Sequence, residues 1–137
     1  MIVREARMVL PGVQALFGFQ MIAVFNERFE QLPQGLQYLH FAALCLCALA
    51  MALVMTPAAY HRLAERGFLT HDFADLASRC IACAMIALAC SFSLDVFMVG
   101  ERVGGMRLAA ASAVPLLLLF LGLWILWPLH GRQRHQR

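Results

Sequence analysis

The sequence predicts an all-α integral membrane protein: a four-helix up-down bundle with short loops and both termini in the cytoplasm. Three observations lead there. The chain is too apolar for a soluble domain, four of its stretches match a bilayer in length, and its arginines gather on one side of them. Of 137 residues, 62% are hydrophobic and 14% are charged, and the mean hydropathy is +0.72. Soluble domains carry roughly 45–50% apolar and about 25% charged residues. A small fold has too much surface for its volume to hide the difference.

A hydrocarbon core about 30 Å thick needs roughly 20 apolar residues of helix. The first span is expected over residues 8–25, short and without charge. It has a basic start, yet no small-x-small cleavage site follows, so it reads as a mature helix rather than a signal peptide. The second span covers 38–60, where His40 is the one histidine. The third, 76–99, holds Arg79 near its start and Asp95 near its end. The fourth, 108–129, is uncharged and ends in "LWILWPL", whose Trp124 and Trp127 suit a membrane interface. Together they make one transmembrane domain over residues 1–137.

The connections agree with this division. "NERFEQLPQG" contains the breakers Pro33 and Gly35. "HRLAERGFLTHDF" offers Gly67 as a stop and Thr70 or Asp72 as the next N-cap. "GERVGG" supplies three glycines and two charges. Loops this short make neighbouring helices antiparallel. Pro11, Pro57 and Pro115 fall inside spans, where each removes a backbone donor and favours a kink.

All eleven basic residues are arginine, which with abundant alanine reads as codon bias in a GC-rich genome. Arg4, Arg7, Arg62, Arg66, Arg79, Arg132, Arg134 and Arg137 fall on one side of the spans, and Arg28, Arg102 and Arg107 on the other. The positive-inside rule then places both ends in the cytoplasm. The tail "HGRQRHQR" is too short and mixed for nucleic-acid binding.

Asp95 is the candidate that chemistry singles out: a carboxylate at the centre of a membrane helix costs about 2.5–3.5 kcal/mol, and Asp95, about one turn from the outer end, is expected to cost less. Stepping back along its face gives Ser91, Leu88, Ala84 and Ala77, a mostly small stripe suited to close packing, so Asp95 is expected to look inward. Gln20, in the outer half of the first helix, and His40, near the outer end of the second, lie at broadly similar depth. Asp95, His40 and Gln20 thus form a candidate ion or proton site. The plainer reading ties Asp95 to Arg102, Arg28 or His40 and fixes helix register.

A second polar group is expected on the cytoplasmic side: Glu5, Arg7, Gln14, Tyr60, His61, Arg62 and Arg79, with Asp75 beside them. Its plain reading is anchoring and helix-end pairing; its sharper reading is a gate closed by ion pairs.

Cys80 and Cys83 form a C-x-x-C, with Cys90 on the same face, while Cys45 and Cys47 point to separate sides of their helix. No histidine matches their depth, so the cysteines read as small hydrophobes. No metal and no cofactor is expected. No nucleotide loop, usable Ser–His–Asp set or H-E-x-x-H helix occurs, so no enzymatic activity is expected.

Three stretches carry a resemblance: "VREARMVLPGVQALFGFQ" at 3–20, "MTPAAYHR" at 55–62 and "LDVFMVG" at 94–100. They resemble an uncharacterised family of small four-span bacterial membrane proteins, some of whose members are loosely labelled sodium:proton antiporters. The likeness runs from Arg4 to about Gly100. The family-like positions are Glu5, Arg7, Gly12, Gln14, Tyr60, His61, Arg62 and Asp95, and the chain departs from the pattern at Ala6 and Pro11.

The functional expectation is a multi-pass protein of the bacterial inner membrane without enzymatic activity. It self-associates or serves as a subunit of a membrane complex. Its partners are the lipid bilayer and a second copy or another membrane protein, with no nucleic acid. The alternative is proton-linked or cation transport through an oligomer using Asp95.

Overall fold

The computed structural model describes residues 2–63 and 71–126, and every regular element among them is helical. Helix α1 is Ile2–Val24, α2 is the single turn Glu27–Glu30, α3 is Gln34–Leu63 and α4 is His71–Leu121. A π-helical turn, Gly122–Leu126, continues directly from α4. The helices outrun the apolar stretches because strong helix formers flank them, such as Arg4, Glu5 and Ala6 before the first. Gly67, Thr70, Trp127 and the C-terminal tail lie outside the described residues.

The third expected span, 76–99, and residues 108–121 of the fourth fall in the two arms of α4. A straight helix of 51 residues would run about 77 Å at 1.5 Å per residue. Instead, the backbone leaves the helical region at Gly104 (φ −145°, ψ 15°) and Gly105 (φ 75°, ψ −174°). The second pair of angles belongs almost solely to glycine. The arms fold back on each other there: a Cβ on Gly100 would stand 2.8 Å from the Ala109 Cα, and the rings of Phe92 and Phe120 lie 5.9 Å apart. The loop expected over "GERVGG" therefore shrinks to its last two glycines, and its first four residues remain helical. All three prolines sit inside helices that continue past them.

Each successive helix runs against the one before it. Val13 meets Cys47 at one end of the α1–α3 contact and Gln20 meets His40 at the other. Tyr60 stacks near Phe73, while Ser91 reaches Ala43, so α3 and the first arm of α4 are also antiparallel.

On α3 the buried positions are Leu36, His40, Ala43, Cys47, Ala50, Val54 and Pro57. They alternate in steps of four and three, the heptad spacing that keeps one seam against a neighbouring helix. On α4 the matching seam is Phe73, Ala77, Ala84, Leu88 and Ser91, so the face expected behind Asp95 is the packed one. Small side chains on both seams let the backbones approach closely.

Large side chains lie outside. Phe19, Phe25 and Val103 are 74%, 81% and 75% exposed, whereas Ala43, Cys47 and Ala50 are fully buried. This inverts the soluble pattern, in which large apolar groups fill the core. Among the described residues, two helical stretches are long and apolar enough to cross a membrane, Gln34–Tyr60 and Asp75–Leu126, and Val9–Val24 is a shorter apolar helix.

Candidate functional site

Gln20 belongs to α1, His40 and Ala43 to α3, and Ser91 and Asp95 to α4; side-chain hydrogen bonds join all three helices there. The Ser91 hydroxyl donates to the Ala43 carbonyl at 2.9 Å. Its hydrogen committed, the Ser91 oxygen accepts from Gln20 Nε2 at 3.0 Å. That fixes the orientation of the Gln20 amide, because only its nitrogen can donate. The other amide hydrogen goes to Asp95 Oδ2 at 2.7 Å. His40 Nε2 lies 2.8 Å from the Gln20 backbone carbonyl. A carbonyl only accepts, so Nε2 carries the hydrogen, and in the neutral ring Nδ1 keeps a lone pair.

The network leaves acceptors over. Gln20 and His40 are each only 4% exposed, yet Gln20 Oε1 and His40 Nδ1 have no hydrogen-bond partner. Both residues, with Asp95, line a cavity of about 540 Å³ that Arg28 and Arg102 also border. The chain between α1 and α3 shapes its roof. Asn26 caps α2 by accepting from the Arg28 backbone N–H at 3.0 Å, and Gln37 donates to the Leu32 carbonyl at 2.9 Å. So held, Phe29 meets the His40 ring edge-on, with centroids 5.2 Å apart. Glu101 Oε2 is likewise buried without a partner, but Glu101 does not line this cavity.

The structure thus brings Gln20, His40 and Asp95 to one place. Sequence reasoning put Ser91 on the right face but gave it no role; its place one turn before Asp95 was the available signal. The Ala43 carbonyl carries no signal at all, being backbone. Asp95 pairs with Gln20 rather than with Arg102, Arg28 or His40.

The cytoplasmic group is arranged differently. Gln14, Tyr60, Arg62, Asp75 and Arg79 are all exposed, and no hydrogen bond or ion pair joins them to one another. Tyr60 stacks 6.2 Å from Phe73. The side chains of Glu5, Arg7 and His61 lie outside what the structure describes. Among the cysteines Cys47 is buried, its thiol 3.6 Å from the Val13 carbonyl, while Cys45 and Cys83 are exposed. Among the described residues, no group of three His, Cys, Asp or Glu side chains is placed to hold a metal ion.

The fold and the site define an all-helical protein with two membrane-length helical stretches and a buried polar cluster tying three helices. Residues 1–128 match the model of a family of unknown function, DUF6328, and the chain belongs to that family. No curated protein and no solved structure matches it.

Proposed function

We propose that the chain is a four-span, up-down bundle of the bacterial inner membrane, with both termini in the cytoplasm, and that it works without enzymatic activity as a self-associating membrane protein. The outward-facing large side chains and the small-residue seams support the membrane placement. The arginine distribution supports the orientation. Self-association rests on Gln14. This carboxamide is exposed on α1, within the apolar stretch Val9–Val24. Lipid offers it no hydrogen bonds, and a Gln on a second helix does. Pro11 and Ala15 are exposed beside it, and a Cβ on Gly18, one turn further on, would meet nothing within 4 Å, so another helix has room to approach.

Crosslinking of the full chain across a range of protein-to-lipid ratios tests this. Oligomers are expected, and Gln14→Leu should weaken them by roughly threefold to tenfold, from about 0.6–1.4 kcal/mol for one interhelical hydrogen bond in a membrane. A wild type that stays monomeric at every ratio would sink the proposal.

The second reading is proton-linked or cation transport through the oligomer. It is favoured by the opening of Asp95 onto the cavity, since an ionisable residue within a membrane span marks a functional path by default. Flux in proteoliposomes under an imposed pH gradient, lost in a well-folded Asp95→Asn protein, supports it. No flux from the wild type removes it.

A further inference from the structure

We propose that the cavity beside Asp95 binds a phosphoethanolamine group, with the primary ammonium on Asp95 and the phosphate on Arg28 and Arg102. Asp95 is the acidic residue that lines the cavity. Both amide hydrogens of Gln20 are committed to Ser91 and Asp95, and the Nε2 hydrogen of His40 is committed to the Gln20 carbonyl. What remains for a ligand is the second oxygen of Asp95, because Gln20 Oε1 and His40 Nδ1 are themselves buried beneath the cavity surface. An ammonium brings hydrogens and one positive charge to that carboxylate. A quaternary ammonium brings the charge but no hydrogen.

The rim has the opposite character. Arg102 follows Asp95 by seven residues, two turns along the same face and a rise of about 10 Å. Arg102 and Asp95 line the same cavity. Arg28 comes from α2, across the cavity. Both arginines are exposed, and neither is paired with a carboxylate among the described residues. Two guanidiniums complement a phosphate, since each presents a fork of N–H donors to its oxygens. A cavity of about 540 Å³ lies within the roughly 300–1,000 Å³ of small-molecule sites.

The apolar wall favours a lipid as the source of this headgroup. Phe19 and Val99 line the cavity, yet are 74% and 63% exposed. The mouth is therefore continuous with the outward apolar shell, where acyl chains would lie; free phosphoethanolamine leaves that wall bare. The lipid source rests on the membrane-spanning reading. The Asp95 carboxylate and the guanidinium rim do not.

Native mass spectrometry of the full chain in detergent tests the inference, with equal amounts of phosphatidylethanolamine, phosphatidylcholine and phosphatidylglycerol bearing identical acyl chains. Calorimetry with O-phosphoethanolamine forms a second arm. The ethanolamine lipid is expected to exceed each of the others about tenfold, and Asp95→Asn and Arg102→Gln should each reduce its binding by about tenfold, the scale of one charge-assisted hydrogen bond. Arg102 lies outside the buried network, so Arg102→Gln carries the test should Asp95→Asn fail to fold. Choline lipid bound as well as ethanolamine lipid overturns the proposal, as does binding indifferent to Arg102→Gln in a folded chain. Binding of O-phosphoethanolamine without the lipid overturns the lipid source and keeps the headgroup chemistry. A chain that stays monodisperse in water without detergent overturns the membrane reading by itself, whichever way the binding falls.

Discussion

The Gln20 amide donates to Asp95 across 2.7 Å, between residues 75 positions apart in the chain. The same nitrogen reaches Ser91 at 3.0 Å, and the Gln20 carbonyl takes the His40 ring at 2.8 Å. One residue of α1 therefore answers to both other helices.

Gln20→Leu should accordingly be more damaging than its conservative volume suggests. It leaves the Ser91 oxygen and an Asp95 oxygen without their donor while keeping the backbone carbonyl for His40. An abandoned buried polar group costs about 1–3 kcal/mol, whereas a single interhelical hydrogen bond in a membrane averages about 0.6 kcal/mol. Unfolding of the detergent-solubilised chain should show Gln20→Leu to be less stable than Ser91→Ala, because Ser91→Ala strips one Gln20 N–H of its acceptor whereas Gln20→Leu strips two acceptors, one of them a carboxylate, of their donor. Equal stabilities would mean that Asp95 is satisfied by water from the cavity.

The reversal at Gly104–Gly105 gives a second test. At φ 75° and ψ −174°, Gly105 has a backbone that costs about 1–3 kcal/mol for a residue bearing a side chain. Yet a Cβ there would meet nothing within 4 Å, so the cost is purely conformational. At Gly100 the reverse holds: the backbone is helical, but a Cβ would strike the Ala109 Cα at 2.8 Å. Both Gly105→Ala and Gly100→Ala should lower the unfolding temperature. Only Gly100→Ala should separate the two arms, read as a loss of the close approach of Phe92 to Phe120. A Gly105→Ala protein as stable as wild type would refute the turn geometry.

These particulars separate what the sequence revealed from what it concealed. The packed face behind Asp95 was legible because helical periodicity fixes which side chains share a side, and small residues mark where helices touch. The common depth of Gln20, His40 and Asp95 was legible because apolar length sets where each helix begins. The partner of Asp95 was not. Rotation of α1 about its axis decides whether Gln20 or an arginine arrives, and rotation depends on packing that no single segment encodes. The short helix Glu27–Glu30 was hidden for a similar reason: four residues carry no periodicity, and its cap uses Asn26, which reads equally well as a turn. The place of the reversal was narrowed to "GERVGG" but not resolved, since three glycines permit it and only the contact of Gly100 with Ala109 selects the last pair.

The exposed thiols supply the last test, one that separates a bilayer from water as the solvent of the outer face. Cys45 lies within Gln34–Tyr60 and Cys83 within Asp75–Leu126, and both are exposed on the chain itself. Cys47, two residues from Cys45, is fully buried. Maleimides attack the thiolate, which forms only where water can solvate it. With lipid as the surrounding solvent, a membrane-impermeant maleimide should fail to label Cys45 and Cys83 in intact vesicles and should label them after solubilisation in denaturing detergent. With water as the solvent, Cys45 and Cys83 should react at once in the native chain while Cys47 stays protected. Peptide mapping of the labelled chain tells these apart, and rapid native labelling of Cys45 would mean that water, not lipid, surrounds this face.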